Sequence, residues 1–198
     1  MSKSILIAVT AGVAAGYLVV PDFLVDYTGP LITAGLCFLL FFVGMDIGRQ
    51  GSLLKDMKEM GFKVFLIPLS IILGTFAGGL VSALVLPMTV QDTLAVSAGF
   101  GWYSMAPAIL TEDYSVQVGA VSFLHNVLRE VTGLVLIPIV AQRVGYLETV
   151  SLPGAAAMDV CMPVVERATS STVAVYSFVS GLVITIAVPV LVRLIISF

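Results

Sequence analysis

The residues with the most chemistry in this chain sit where charge is least welcome. The stretch FLHNVLRE, residues 123–130, brings His125, Asn126, Arg129 and Glu130 into one of the most apolar runs of the sequence. If that run is a membrane helix, Arg129 and Glu130 lie near its midpoint, where each charge costs about 2.5–3.5 kcal/mol on insertion scales. Adjacent residues on a helix point about 100° apart, so the two charges do not simply neutralise one another. Side chains meet at spacings of three or four, which pairs His125 with Arg129 and Asn126 with Glu130. At least one charge therefore needs a partner on another segment, or water. Two readings stay open, a structural ion-pair network or a pathway for substrate or protons. His125 alone weighs less, because a lone histidine is more often a packing residue.

Three further constellations carry chemistry. GFGWYS, Gly99 to Ser104, places Gly99 and Gly101 inside an apolar segment. Unwound backbone survives at membrane depth only when it is buried in protein or lines a watery cavity. Trp102 and Tyr103 then offer ring faces to a cation, or else form an interfacial aromatic belt. MDVCMP, Met158 to Pro163, sets Asp159 in a short element bracketed by prolines. Discontinuous elements of this kind build transporter sites, although Asp159 could equally cap a neighbouring helix. Asp46, in FFVGMDIG, reads either as an interfacial acid near Arg49 or as an acidic gate for a cation. Glu112 and Asp113 read as a solvated loop.

Stepping outward, these residues need membrane elements to hold them. The chain is 59% hydrophobic and only 11% charged over 198 residues, against about 45–50% and about 25% in a soluble domain. Apolar runs recur at a length that crosses a core of about 30 Å. The expected fold is all-α, a single polytopic membrane domain over 1–198 with about six or seven segments. These fall near 4–20, 31–48, 64–86, 93–111, 118–141, 152–167 and 172–196. The first is read as a retained helix rather than a cleaved leader, since no A-x-A-like site follows it. PDFLVDYTGP is read as the loop before segment two. Segment four, with Gly99, Gly101 and Pro107, and segment six, with Pro153, Gly154 and Pro163, are expected to be broken or re-entrant. Arg49, Lys55, Lys58 and Lys63 form the basic cluster, which puts that loop and the N-terminus in the cytoplasm.

Several function classes drop out. A net charge of −3 argues against a nucleic-acid partner. There is no H-E-x-x-H motif, no P-loop and no nucleophile elbow, and one histidine leaves no metal cluster, so neither an enzyme nor a metal or cofactor is expected. Cys37 and Cys161 read as small packing residues.

The set FFVG-D-G, GFGWYS, F--N--RE followed by LIP, and GA--MD---P runs in this order from about Leu36 to Phe198. It resembles the LysO-type lysine exporters, a prokaryotic inner-membrane family. The resemblance implies export of L-lysine, and of related cationic amino acids, with resistance to the toxic analogue thialysine. By motif, Glu130 matches one of the family's intramembrane acids, and Asp159 falls on the acidic position of the last motif. The implied site is an acidic cavity of Glu130 and Asp159, with Trp102 or Tyr103 flanking the ammonium or stem. Arg129 would hold the substrate carboxylate or balance one acid, and Gly99, Gly101, Ser104, Asn126 and Asp46 complete the candidate set. The family's last motif usually reads G-A-T-S-M-D, so Ala156 and Ala157 replace two hydroxyl residues here. Full-length members carry a further N-terminal part. The resemblance therefore implies either a small membrane partner that supplies it or a homo-oligomer. The alternative function is a non-transporting membrane subunit that scaffolds or regulates a partner.

Overall fold

A computed structural model of the protein describes residues 2–18, 22–49 and 61–198. Its helices are α1 (Ser2–Leu18), α2 (Asp22–Arg49), α3 (Leu66–Ala83), α4 (Val90–Ser97), α5 (Met105–Asp113), α6 (Val116–Arg143), α7 (Met162–Ala168) and α8 (Ser171–Ile196). Single 3-10 turns occupy Gly61–Phe65, Leu147–Ser151 and Gly154–Met158, and no strand occurs among the described residues. The protein is an all-helical membrane protein. Among the described residues, α3, α6 and α8 are long and apolar enough to cross a bilayer unaided.

One expected boundary is corrected. PDFLVDYTGP is not a loop: α2 begins at Asp22 and runs through Pro30. An interior proline is tolerated in membrane helices, where neighbouring groups satisfy the freed carbonyl. The basic loop, residues 50–60, lies outside the described residues.

The interrupted segments explain themselves at their ends. The Tyr114 hydroxyl donates to Asp92 Oδ1 at 2.7 Å, Gln91 Nε2 donates to the Ile195 carbonyl at 3.0 Å, and Arg193 Nε lies 3.6 Å from Asp113 Oδ2. The start of α4, the end of α5 and the end of α8 are therefore gathered at one end of the molecule. So α4 and α5 do not form a kinked span. They enter and return on the same side as a re-entrant hairpin with its tip at Ala98–Ser104. Helices of eight and nine residues reach about 12–14 Å deep at 1.5 Å per residue, about the middle of the membrane. A capping box at Thr89 and Asp92 starts the inward limb, satisfying helix N–H groups that have no partner of their own.

The second hairpin enters from the opposite end. There the Gly61–Phe65 turn and the start of α8 meet through Val64, Ala174 and Val175, joined by Met162 of α7. The chain climbs through Leu147–Ser151, turns at Gly154–Met158 and descends along α7, where Pro163 occupies the first turn that can accept it. The two tips meet: the Ala155 N–H donates to the Phe100 carbonyl at 2.8 Å.

Packing at the junction depends on small residues, because lipid gives apolar helices no hydrophobic reason to associate. A Cβ at Gly181 of α8 would lie 2.5 Å from the Met158 nitrogen, and Ser177 Oγ donates to the Ala157 carbonyl at 2.7 Å. The second tip is thus pressed directly onto α8. Phe100 is fully buried, edge-on to Phe76 at 5.5 Å between centroids, in a cluster with Ile71, Leu110, Ile184 and Val188.

Candidate functional site

The backbone at the meeting point is unusual because two chains cross where helices would be too wide. Gly101 has φ +94 and Gly154 φ +66, a region that L side chains avoid. A Cβ at Gly101 would lie 2.6 Å from the Pro153 carbonyl oxygen, and one at Gly154 would overlap the Phe100 carbonyl. Both glycines are therefore demanded by conformation and by space.

Unwinding leaves polar backbone exposed at depth, and Asn126 answers it. Its side chain is fully buried, and Oδ1 accepts the Gly101 N–H at 2.7 Å. Nδ2 donates to the Ser122 carbonyl at 2.8 Å and to Ser122 Oγ at 3.1 Å. Gly99 lies against the Asn126 amide so closely that any Cβ would collide with it. Gly99 and Asn126 thus set the shape of the tip rather than line a cavity.

The cavity itself has a volume of about 130 Å³ and lies between the two tips, α6 and α8. Gly101, Trp102, Tyr103 and Ser104 line it from the first hairpin, Glu130 from α6, Met158 and Asp159 from the second hairpin, and Thr185 from α8. Six residues singled out from the sequence thus share one cavity. Glu130 is the fifteenth residue of a helix of 28, so it sits at mid-depth. Glu130 and Asp159 thus face one shared space. Neither forms an ion pair with a described residue. Asp159 Oδ1 accepts the Val160 N–H at 2.6 Å, which fixes its orientation where the turn ends. Tyr103 is braced edge-on by Phe123 at 6.4 Å between centroids.

Arg129 faces elsewhere, as the helical geometry of adjacent residues requires. Its Nε donates to the Leu152 carbonyl at 3.2 Å, one terminal nitrogen to Thr75 Oγ1 at 3.3 Å and the other to the Ser151 carbonyl at 3.4 Å. It thereby ties α3 and α6 to the climbing limb of the second hairpin. His125 Nε2 is buried without a hydrogen-bond partner among the described residues. The backbone of Asp46 falls in α2, and its side chain lies outside the described residues.

Sequence reasoning missed Thr185 and Met158, which lie 3.6 Å apart from Oγ1 to Sδ. A usable signal was present. Ser177, Ser180, Gly181 and Thr185 form a run of small and polar positions in an otherwise apolar helix, the pattern expected of a contact face. Ala156 also lines the cavity, so one of the two positions without a hydroxyl is at the site itself.

Comparison with known proteins adds the lineage. A 157-residue stretch is 29% identical to the Escherichia coli (strain K12) protein named "Lysine exporter LysO", covering 79% of this chain and 52% of that one. The chain thus spans about half the length of that relative. A Haemophilus influenzae protein named "Putative lysine exporter" is 31% identical over 192 residues, covering 96% of this chain and 95% of that one. No solved structure gives a significant match. The family profile described as lysine exporter LysO matches residues 6–196, and the chain belongs to that family.

Proposed function

We propose that the protein exports L-lysine, and related cationic amino acids, through the acidic cavity at the junction of the two hairpins. The observation that carries this reading is the pairing of Glu130 and Asp159 in one mid-membrane cavity, with no described cation paired to either. Two carboxylates held together in a low-dielectric site are costly unless something positive joins them. A lysine ammonium carries three donors and one positive charge, enough to bridge both acids. Trp102 and Tyr103 supply ring faces for the ammonium or its methylene stem. When lysine leaves, a proton taken by Glu130 resets the site, so that proton and lysine occupy it in turn.

Orientation follows from charge. Arg143 and Arg167 end α6 and α7, at the same end as the Gly61–Phe65 turn. The positive-inside tendency puts that end in the cytoplasm. The second hairpin then enters from the cytoplasm, the first from outside, and the N-terminus is cytoplasmic, in an inner membrane. A small membrane partner, or a second copy, completes the unit.

The test is thialysine resistance. The chain is expressed in a bacterium that lacks lysine export, alone and with any small membrane partner. Resistance that rises with either arrangement is expected. If neither raises it, the lysine reading is wrong.

A further inference from the structure

A second cavity lies beside the hydrogen-bond partners of Arg129. It is an open cleft of about 260 Å³, lined by Ser70, Ile71, Gly74, Thr75 and Ser151. Two of these residues are partners of the guanidinium, Thr75 through its hydroxyl and Ser151 through its carbonyl. The Arg129 side chain also runs behind the crossing. A Cβ on Gly154 would lie 3.3 Å from Arg129 Cζ, and one on Gly101 would lie 3.8 Å from its Cδ. Gly101 lines the acidic cavity. Arg129 lines neither cavity itself; it sits behind Thr75 and Ser151, the cleft residues it is bonded to, while its neighbour Glu130 lines the acidic cavity.

The charge of Arg129 is not balanced. A guanidinium has five N–H donors and a full positive charge. Three of the donors are engaged, all by neutral oxygens, and no described carboxylate lies within ion-pair distance. Each terminal nitrogen keeps one further N–H, and both terminal nitrogens are held by residues that line the cleft. A guanidinium at such depth seeks an anion of matching planar geometry, for which a carboxylate is the best fit. Ser70 and Thr75 give the cleft hydroxyl groups to support one.

We infer that this cleft is a carboxylate-reading station, separate from the acidic cavity, which engages the α-carboxylate of the amino acid against Arg129. The inference rests on the export reading above and adds to it. Ser70 and Ile71 belong to the half of α3 nearest the Gly61–Phe65 turn, and Ser151 to the limb that enters from that end. The cleft therefore lies on the side from which an exported substrate arrives. The acidic cavity alone would accept any organic cation of the right length. Arg129 makes a carboxylate a condition of passage, and so distinguishes an amino acid from a diamine.

The experiment measures binding to the purified full chain in lipid nanodiscs. The ligands are L-lysine, lysinamide and 1,5-diaminopentane, which is lysine without its carboxylate. L-lysine is expected to bind at least about tenfold more tightly than either carboxylate-free ligand. Gly74→Leu fills the cleft from a position where a Cβ meets nothing within 4 Å. It is expected to weaken lysine about tenfold and the diamine by less than about threefold. Equal affinities in the unaltered protein overturn the inference while leaving a cation-binding cavity intact. So does a Gly74→Leu protein that keeps its preference for lysine, because the carboxylate is then read inside the acidic cavity. A chain that binds none of the three ligands overturns the export reading as well.

Discussion

Glu130→Gln is expected to lower lysine efflux by about two orders of magnitude while leaving the amount of inserted protein unchanged. The size follows from what the substitution leaves behind. Glutamine has nearly the same shape, so the packing of α6 is kept, but the cation loses one of its two charged partners. Removing one side of a desolvated charge pair costs about 3–5 kcal/mol, which corresponds to a hundredfold loss or more. Asp159→Asn is milder, because one oxygen remains to accept the Val160 N–H that orients the turn. In the proposed site the two acids serve one cation, so their effects are expected not to add. The double variant is expected to be no worse than Glu130→Gln alone. Efflux of labelled lysine from loaded proteoliposomes measures all three. A Glu130→Gln protein that exports at the unaltered rate removes that carboxylate from the mechanism, whatever becomes of export itself.

The second large effect is structural. Gly154→Ala should dismantle the junction of the two hairpins. At φ +66 a side chain costs about 1–2 kcal/mol in backbone strain. Its Cβ would also be driven into the Phe100 carbonyl, and overpacking of this kind adds about 1–3 kcal/mol. The carbonyl it strikes is the acceptor of the Ala155 N–H bond that joins the tips, so the damage falls on the contact that shapes the cavity. Gly78→Ala is the control, since a Cβ there meets nothing within 4 Å. Thermal unfolding in detergent should show a midpoint several degrees lower for Gly154→Ala and unchanged for Gly78→Ala, with efflux lost only in the first. Equal midpoints for the two variants would show that the crossing does not depend on Gly154.

How much of this was legible beforehand differs from residue to residue. Gly99, Gly101 and Pro107 announced an interruption, because no apolar span carries that group by accident. They did not show that the chain turns back. That depends on Asp92 meeting Tyr114 across 22 residues, a tertiary pairing with no local periodicity. Likewise Pro153 and Gly154 marked a short element, but its contact with Phe100 is set by the other hairpin. The 100° between Arg129 and Glu130 correctly foretold that they would part company. Which of them would face the cavity could not be read, since it is fixed by where Leu152 and Thr75 come to lie. Asn126 was placed with Glu130 by its spacing of four, yet it points beneath Gly101 and serves the backbone. Thr185 was overlooked because one hydroxyl in a long apolar helix is ordinary. Only the approach of Met158 gives it a role.

In the proposed mechanism, paired carboxylates read the charged end of the substrate. The most direct measurement of this is a calorimetric titration of the purified chain with L-lysine and with L-norleucine, an amino acid of similar shape without the ε-ammonium. Lysine should bind at least about tenfold more tightly than norleucine, and Glu130→Gln should abolish the difference. Equal binding of the two ligands, or an undiminished preference for lysine in the Glu130→Gln protein, would contradict it.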